Sequence, residues 1–437
     1  MTKLTLRPFQ KLGVDDLLSS KRRLLRDEMG CGKSVQVLGG IDALLTKVDR
    51  VNVLIVCPAA LCLMWEKMIS DWFASECQVV LMKKQGKEVV KFSGVKVRAV
   101  IVSYNYLQKP GQVERLKKCR WGVVVADEAH KLKSWGKKTS KGFQTLVKGH
   151  EGYVWMLTGS PATNSGQDYY VYLQTCEPGK HGSYLQFSER FCEKTINWFT
   201  RKWEYKGVKK DKRAELGAIF KRLGLRRKLE EVAPELPAKI FTDIPVAMPE
   251  SVVKKFLELK KRYAVAIEAG EIPRDLPGEL ADLRLEIGLI KSEVAVEYVL
   301  NAGRPMIVFT QRIETADTIS SSLMEQGIKV GKITGAESGV EKNRSVDRFQ
   351  AGELDVIVAN IAAGGVGLTL TRANTVLFAE LTSSPAEEVQ AIGRINRIGQ
   401  TAKVLQIIKL IGEKSVDASI EKSLQYKGEF MSEVMGD

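Results

Sequence analysis

Residues Lys21–Leu38 read KRRLLRDEMGCGKSVQVL. Leu24-Leu25 is a short apolar run, Asp27–Ser34 holds Gly30, Gly32, Lys33 and Ser34, and Val35, Val37 and Leu38 resume at helical spacing. Strand, glycine loop, Lys-Ser and helix together describe a phosphate cradle. The glycines let backbone N–H groups turn toward an anion, and the helix N-terminus adds its positive dipole end. In such a cradle Lys33 reaches β- and γ-phosphates and the Ser34 hydroxyl ligates Mg²⁺. Asp27 stands where the strict G-x-x-x-x-G-K-[ST] pattern has glycine. By itself the loop also fits a glycine-rich turn capping an ordinary helix, so its weight depends on a second site in the same sheet.

The neighbouring sequence supplies that sheet. Val51–Cys57 (VNVLIVC), Val97–Val102, Trp121–Ala126 and Tyr153–Leu157 are short β-branched runs separated by helical patterns. Continuous apolar strands alternating with helices predict a parallel sheet covered on both faces, with ligands at the carboxyl ends of its strands. Three of those ends carry Asp127-Glu128-Ala129-His130, Thr158-Gly159-Ser160-Pro161, and Pro58 followed by Trp65. An Asp at a buried strand end is placed to hold Mg²⁺ opposite Ser34, and the adjacent Glu128 to polarise an attacking water. Upstream, Gln10 in Leu6–Gln10 carries an amide able to pair with the adenine amino group and N7.

The second half repeats the alternation without the cradle. Pro234, Pro237 and Pro245 punctuate Val232–Pro249, which reads as a connector. Helical patterns follow from Glu250 to Leu300, interrupted at Gly270–Pro273. A second sheet is expected from Met306–Thr310, Lys329–Ile333, Val356–Ala359, Thr375–Ala379 and Lys403–Ile411. Within Gln390–Gln400, Arg394 and Arg397 are three apart and would share one helix face, suited to arginine fingers on a γ-phosphate.

The 437 residues suffice for two or three domains, and 44% hydrophobic with 27% charged residues is a globular composition. There is no apolar run of membrane-spanning length, and MTKLTLRPFQ lacks an apolar h-region. Seven scattered cysteines without C-x-x-C read as reduced thiols in a cytoplasmic chain, with no zinc site. The net charge of +15 points to a polyanionic partner. Arg190–Glu230 carries 14 Lys and Arg against 5 Asp and Glu, more than half of that net charge. There Trp198, Phe199, Trp203 and Tyr205 interleave with Arg201, Lys202, Lys206, Lys209 and Lys210, as in a β-hairpin that either meets a phosphate backbone or is simply solvated.

Taken together, these strings resemble the DEAH-type superfamily-two motors, and within them the SWI/SNF-type DNA translocases. LRPFQ is similar to that family's adenine-reading motif and DEMGCGKS to its first motif, which often begins Asp-Glu. LIVCPAALCLMW and VSYNYL resemble its DNA-facing motifs, DEAHKLKS and LTGSPATN its metal-binding and coupling motifs, and Arg226-Arg227 with Leu236-Pro237 its lobe-connecting signature. FTQR, AGGVGLTLT and QAIGRINRIGQ resemble its fourth, fifth and sixth motifs. Phe378–Leu381 with Pro385 is similar to the HARP-like annealing-helicase branch, although no aromatic stands near Ser383-Ser384.

The resemblance implies an α/β fold of two RecA-like parallel-sheet lobes in tandem. Residues 1–238 would form lobe one, with a basic protrusion over 185–230, and 239–437 lobe two, with a helical protrusion over 250–300 before 301–437. It implies ATP and Mg²⁺ at Arg7, Gln10, Met29–Ser34 and Asp127, with Lys33, Asp127, Glu128, Gln390, Arg394 and Arg397 catalytic. His130, Thr158, Gly159, Ser160, Gly365 and Gly367 would couple nucleotide state to the DNA track. Pro58, Trp65, Ser103, Tyr104, Lys133, Lys209, Lys210, Gln311 and Thr369 would meet DNA. The implied activity is that of a monomeric, DNA-dependent ATPase tracking on double-stranded DNA, branched forms included, in a bacterial or viral-host cytoplasm, or in the nucleus if the source is eukaryotic. The rival readings are a strand-separating or annealing helicase, an RNA-directed motor, and an ATP-regulated clamp without turnover.

Overall fold

The computed structural model describes residues 5–82, 94–159, 165–196, 203–268, 278–361, 368–382, 384–421 and 424–425. The chain passes from one compact unit to a second at Val232–Ala233. Ser160, Trp198, Phe199, Arg201, Lys202, Gly365 and Gly367, all singled out in the sequence, lie outside the described residues.

In the first unit, six strands run parallel: β1 (Arg22–Leu25), β2 (Val51–Cys57), β3 (Cys77–Leu81), β4 (Val97–Ser103), β5 (Val123–Ala126) and β6 (Tyr153–Leu157). Their order is β1-β6-β5-β2-β4-β3. β5 is buried along its whole length and β2 nearly so, as expected where helices cover both faces. Since β6 lies between β1 and β5, the glycine loop, Thr158 and Asp127 all emerge at the same sheet edge. Cys77–Leu81 was not anticipated as a strand: it is an edge, half-buried except for exposed Gln78, and lacks the fully apolar signature.

The helix after the glycine loop, α2 (Lys33–Leu45), carries Gly39 and Gly40 because it packs too closely for side chains there. A methyl on Gly40 would stand 2.9 Å from the Trp155 ring, and one on Gly39 would stand 2.7 Å from Leu6. Trp155 also donates through Nε1 to the Leu17 carbonyl (2.9 Å), joining β6 to α1 (Pro8–Ser19). The basic segment forms the expected hairpin, with β7 (Cys192–Ile196) antiparallel to β8 (Trp203–Val208). Trp203 is exposed, with the Lys194 ammonium 5.4 Å from its ring centre.

The second unit is also a six-stranded parallel sheet. Its strands are β9 (Ala238–Val246), β10 (Met306–Thr310), β11 (Val330–Ile333), β12 (Val356–Asn360), β13 (Thr375–Phe378) and β14 (Val404–Gly412), in the order β11-β12-β10-β13-β14-β9. The expected connector is therefore corrected: half of Val232–Pro249 is an edge strand, Ala238–Val246, paired with β14 along nine residues. Pro245 is tolerated there because an edge strand needs hydrogen bonds on one side only. Phe309 and Phe378 stack at 5.6 Å within this unit's core, and the helix Gly278–Asn301 buries Lys291 against Asp417 (2.7 Å).

Before leaving the first unit, the chain returns to β1. Arg26 N donates to Leu225 O (2.7 Å) and Glu28 N to Arg227 O (2.9 Å), so residues 225–227 extend the sheet edge beside the glycine loop. Gly224 permits the approach, since a methyl there would stand 2.0 Å from the Leu24 carbonyl oxygen. Gly224→Ala must therefore push the returning segment off β1. It is expected to destabilise the first unit by about 2 kcal/mol or more, read as a lower urea midpoint of the intact chain.

Candidate nucleotide and metal site

The cradle is built as its residue types require. Gly30 (φ +93°) and Gly32 (φ +75°) take the left-handed backbone that turns the loop, and Asp27 needs no such conformation. Lys33 Nζ donates to the carbonyls of Asp27 (2.7 Å) and Glu28 (3.2 Å), folding over the loop. At the end of β6, Thr158 N donates to Leu25 O (3.1 Å), and a side chain at Gly159 would stand 3.5 Å from Lys33 Nζ and 3.1 Å from Met29. Ser34 is half-buried in the first turn of α2.

Gln10 is buried against this loop. Its Oε1 accepts from Arg7 N (3.0 Å) and its Nε2 donates to Cys31 O (3.3 Å), so both ends of the amide are engaged within the protein. The sequence reading missed the partner of Asp27. That carboxylate is fully buried and receives Arg227 Nε (3.0 Å) and Nη2, together with Gln36 Nε2 (3.0 Å). The same guanidinium donates to Gln36 Oε1 (2.9 Å) and the Phe9 carbonyl. One arginine thus ties α1, the loop and α2 together, while Glu28 accepts from Leu229 N (2.7 Å). The available signal was an acidic residue at a glycine position together with a distant Arg-Arg pair.

Asp127, at the end of β5, is nearly fully buried. Oδ2 accepts from Trp65 Nε1 (2.8 Å) and Oδ1 from Glu128 N (2.9 Å), while Tyr104 Oη donates to the Asp127 carbonyl (2.7 Å). Burial, reinforced by the neighbouring Glu128 charge, pushes the Asp127 carboxyl up to about 7, against the pull of Trp65 and Lys33. Burial likewise raises the Tyr104 phenol, with Asp127 adding to the shift. Glu128 sits at φ +50°, a left-handed conformation that costs a non-glycine residue about 1–3 kcal/mol. Its Oε2 lies 3.1 Å from His130 Nδ1.

These facts correct two assignments. Trp65 is 0% and Tyr104 6% exposed, so neither side chain offers a DNA-facing surface, because both are turned inward to Asp127. Pro58, Ser103 and Lys133 are half-buried at the same edge. On the basic hairpin, Lys210 is exposed, and Lys209 donates to the Glu189 carbonyl (2.6 Å).

In the second unit, the expected helix carrying both arginines stops short. It runs Pro385–Ile392, including half-buried Gln390, and ends at Gly393, leaving Arg394 and Arg397 in turns. Gln400 closes those turns by donating to the carbonyls of Ala373 (2.9 Å) and Ile395 (3.0 Å). Arg394 is fully buried and donates to Leu368 O (3.3 Å). Half-buried Arg397 donates to Gly393 O (2.7 Å) and to the hydroxyl of exposed Thr369 (2.7 Å). Buried Glu380 accepts from the backbone N–H of Gln311 (2.8 Å) and Arg312 (3.0 Å), fixing the turn after β10.

Gly30–Ser34 and Asp127-Glu128 thus stand at one end of a parallel sheet, and a second unit built on a parallel sheet follows in the chain. The chain belongs to the SNF2-related domain family, whose pattern matches residues 9–281, and a helicase conserved C-terminal domain matches residues 290–399. It is similar to the DNA annealing helicase and endonuclease ZRANB3 of Bos taurus, 28% identical over 97% of this chain and 40% of that protein. It also resembles the SWI/SNF-related matrix-associated actin-dependent regulator of chromatin subfamily A-like protein 1 homolog of Caenorhabditis elegans, 29% identical over 98% of this chain. The chain spans 61% of that relative's length. A solved structure, the Sulfolobus solfataricus SWI2/SNF2 ATPase core in complex with dsDNA, aligns over 99% of this chain and 94% of its own at 23% identity and a TM-score of 0.47.

Removing one member of the Asp27–Arg227 pair strands a buried charge. Asp27→Ala is expected to cost about 3–5 kcal/mol in urea unfolding. The double replacement Asp27→Leu/Arg227→Met should recover much of that loss, which the double-mutant cycle measures.

Proposed function

We propose that the chain is a Mg²⁺- and DNA-dependent ATPase that translocates on double-stranded DNA. The observation that carries this reading is the convergence of Gly30–Ser34 and Asp127-Glu128 at one edge of one sheet, beside Thr158 and Gly159. Lys33, now resting on loop carbonyls, would turn its ammonium to the β- and γ-phosphates. Gln10, already bonded to Cys31, joins base reading to the phosphate loop.

The oxygen donors fit Mg²⁺, which needs few protein ligands and keeps waters and phosphates in its shell. The buried Asp127 carboxyl, raised to about 7, is the kind of group a divalent cation stabilises in its charged form. Ser34 Oγ and Asp127 would hold the ion, which supplies charge neutralisation for the transferred phosphoryl group. Glu128 would orient the attacking water and accept its proton, with His130 beside it. Of the two arginines, half-buried Arg397 is the better candidate for the γ-phosphate, whereas Arg394 supports the segment at Leu368.

Duplex DNA as partner is supported by the +15 charge, by the basic hairpin, and by relatives named as DNA helicases. The test is ATP hydrolysis by the intact chain across duplex, forked and single-stranded DNA and RNA. Stimulation by duplex above that by single strands or RNA is expected, and preference for RNA would sink the reading. Glu128→Gln should keep ATP binding while hydrolysis falls by roughly 10²-fold or more. Near-normal turnover in that variant would remove the carboxylate from the mechanism.

A further inference from the structure

Asp127 is held from several directions. Its N–H donates to Val56 O of β2 (2.8 Å), Trp65 grips Oδ2, and Tyr104 grips its carbonyl oxygen. The carbonyl held by Tyr104 and the Glu128 N–H bonded to Oδ1 are two ends of one peptide unit. Tyr104 therefore orients the peptide that sets both the Asp127 carboxylate and the left-handed Glu128. Trp65 fixes the other oxygen with a charge-assisted bond from a fully buried indole, which has no solvent to turn to instead. Among the described residues each carboxylate oxygen accepts one bond, which leaves a lone pair for a cation.

We propose that Trp65 and Tyr104 are positioning residues that set the Asp127 carboxylate for a divalent cation. The inference rests on the ATPase reading above. Trp65 lies in α3 (Cys62–Phe73) and Tyr104 directly after β4, so two separate elements brace the one carboxylate.

The test uses the full chain with Trp65→Phe and, separately, Tyr104→Phe, each keeping a ring while deleting the donor. Mn²⁺ affinity of the ADP-loaded protein, read by electron paramagnetic resonance without turnover, is expected to fall about tenfold or more in Trp65→Phe. In both variants kcat for ATP should fall by a similar factor, with duplex affinity within about twofold of the parent. A merely structural role would lower the unfolding midpoint and leave the Mn²⁺ affinity and kcat unmoved. Unchanged values in both variants, or lost duplex affinity with intact Mn²⁺ binding, would overturn the proposal. A parent chain that binds Mn²⁺·ADP without hydrolysing ATP would sink the ATPase reading, while weaker Mn²⁺ binding in Trp65→Phe would still sustain the brace.

Discussion

A buried carboxylate and a buried guanidinium hold the first unit's working end together. Asp27 has zero exposure, and Arg227, from the far end of the unit, brings the opposite charge that makes its burial tolerable. The loop conformation therefore depends on the chain having completed the sheet and come back to β1. The same contact explains the missing glycine. The positive-φ demands of the turn fall on Gly30 and Gly32, so the position of Asp27 is open to a side chain. That side chain becomes the anchor through which Gln36, Phe9 and the returning segment share one hydrogen-bonded centre.

The chemistry is placed by the same economy of elements. β6 separates β1 from β5 by one strand, which brings Thr158 and Gly159 between a lysine and a carboxylate supplied by different loops. The strain at Glu128 and the desolvation of Asp127 occur in adjacent residues, where the surrounding structure is densely cross-bonded. Strained and desolvated groups persist only where their neighbours over-determine them, and Trp65, Tyr104 and the backbone of β2 do so here.

What could be read from the chain alone follows the same physics. β2, β5, β10 and β12 are buried on both faces, and their unbroken apolar runs are visible without a structure. The edge strands β3 and β9 face solvent on at least one side, so CQVVL and AKIFTDIPV carry mixed signals and were passed over or taken for a connector. The Gly-Lys-Ser loop and Asp-Glu pair were legible because they are local. The Asp27–Arg227 pair was not, since its members stand 200 residues apart. Trp65 and Tyr104 were assigned to DNA through the resemblance of their motifs, whereas burial is a property of the assembled sheet. The two arginines read as helical from spacing alone, while Gly393 and the bonds of Gln400 end the helix before them.

The position of β9 bears on how the protein is made. It is the first strand of the second sheet to be synthesised, and among the described residues its one neighbour is β14, the last. Ala238 must wait for Val404 before its backbone can pair, whereas in the first sheet Arg22 finds Val154 and all six strands exist before β9 emerges. During that interval Ile240 and Phe241, more than half exposed even in the finished fold, travel on an edge with nothing beside it. Pairings of long sequence separation close slowly and leave strand edges open to other chains. The second unit is thus the step of biosynthesis most in need of speed or of a chaperone, and the first can already be folded when that step begins.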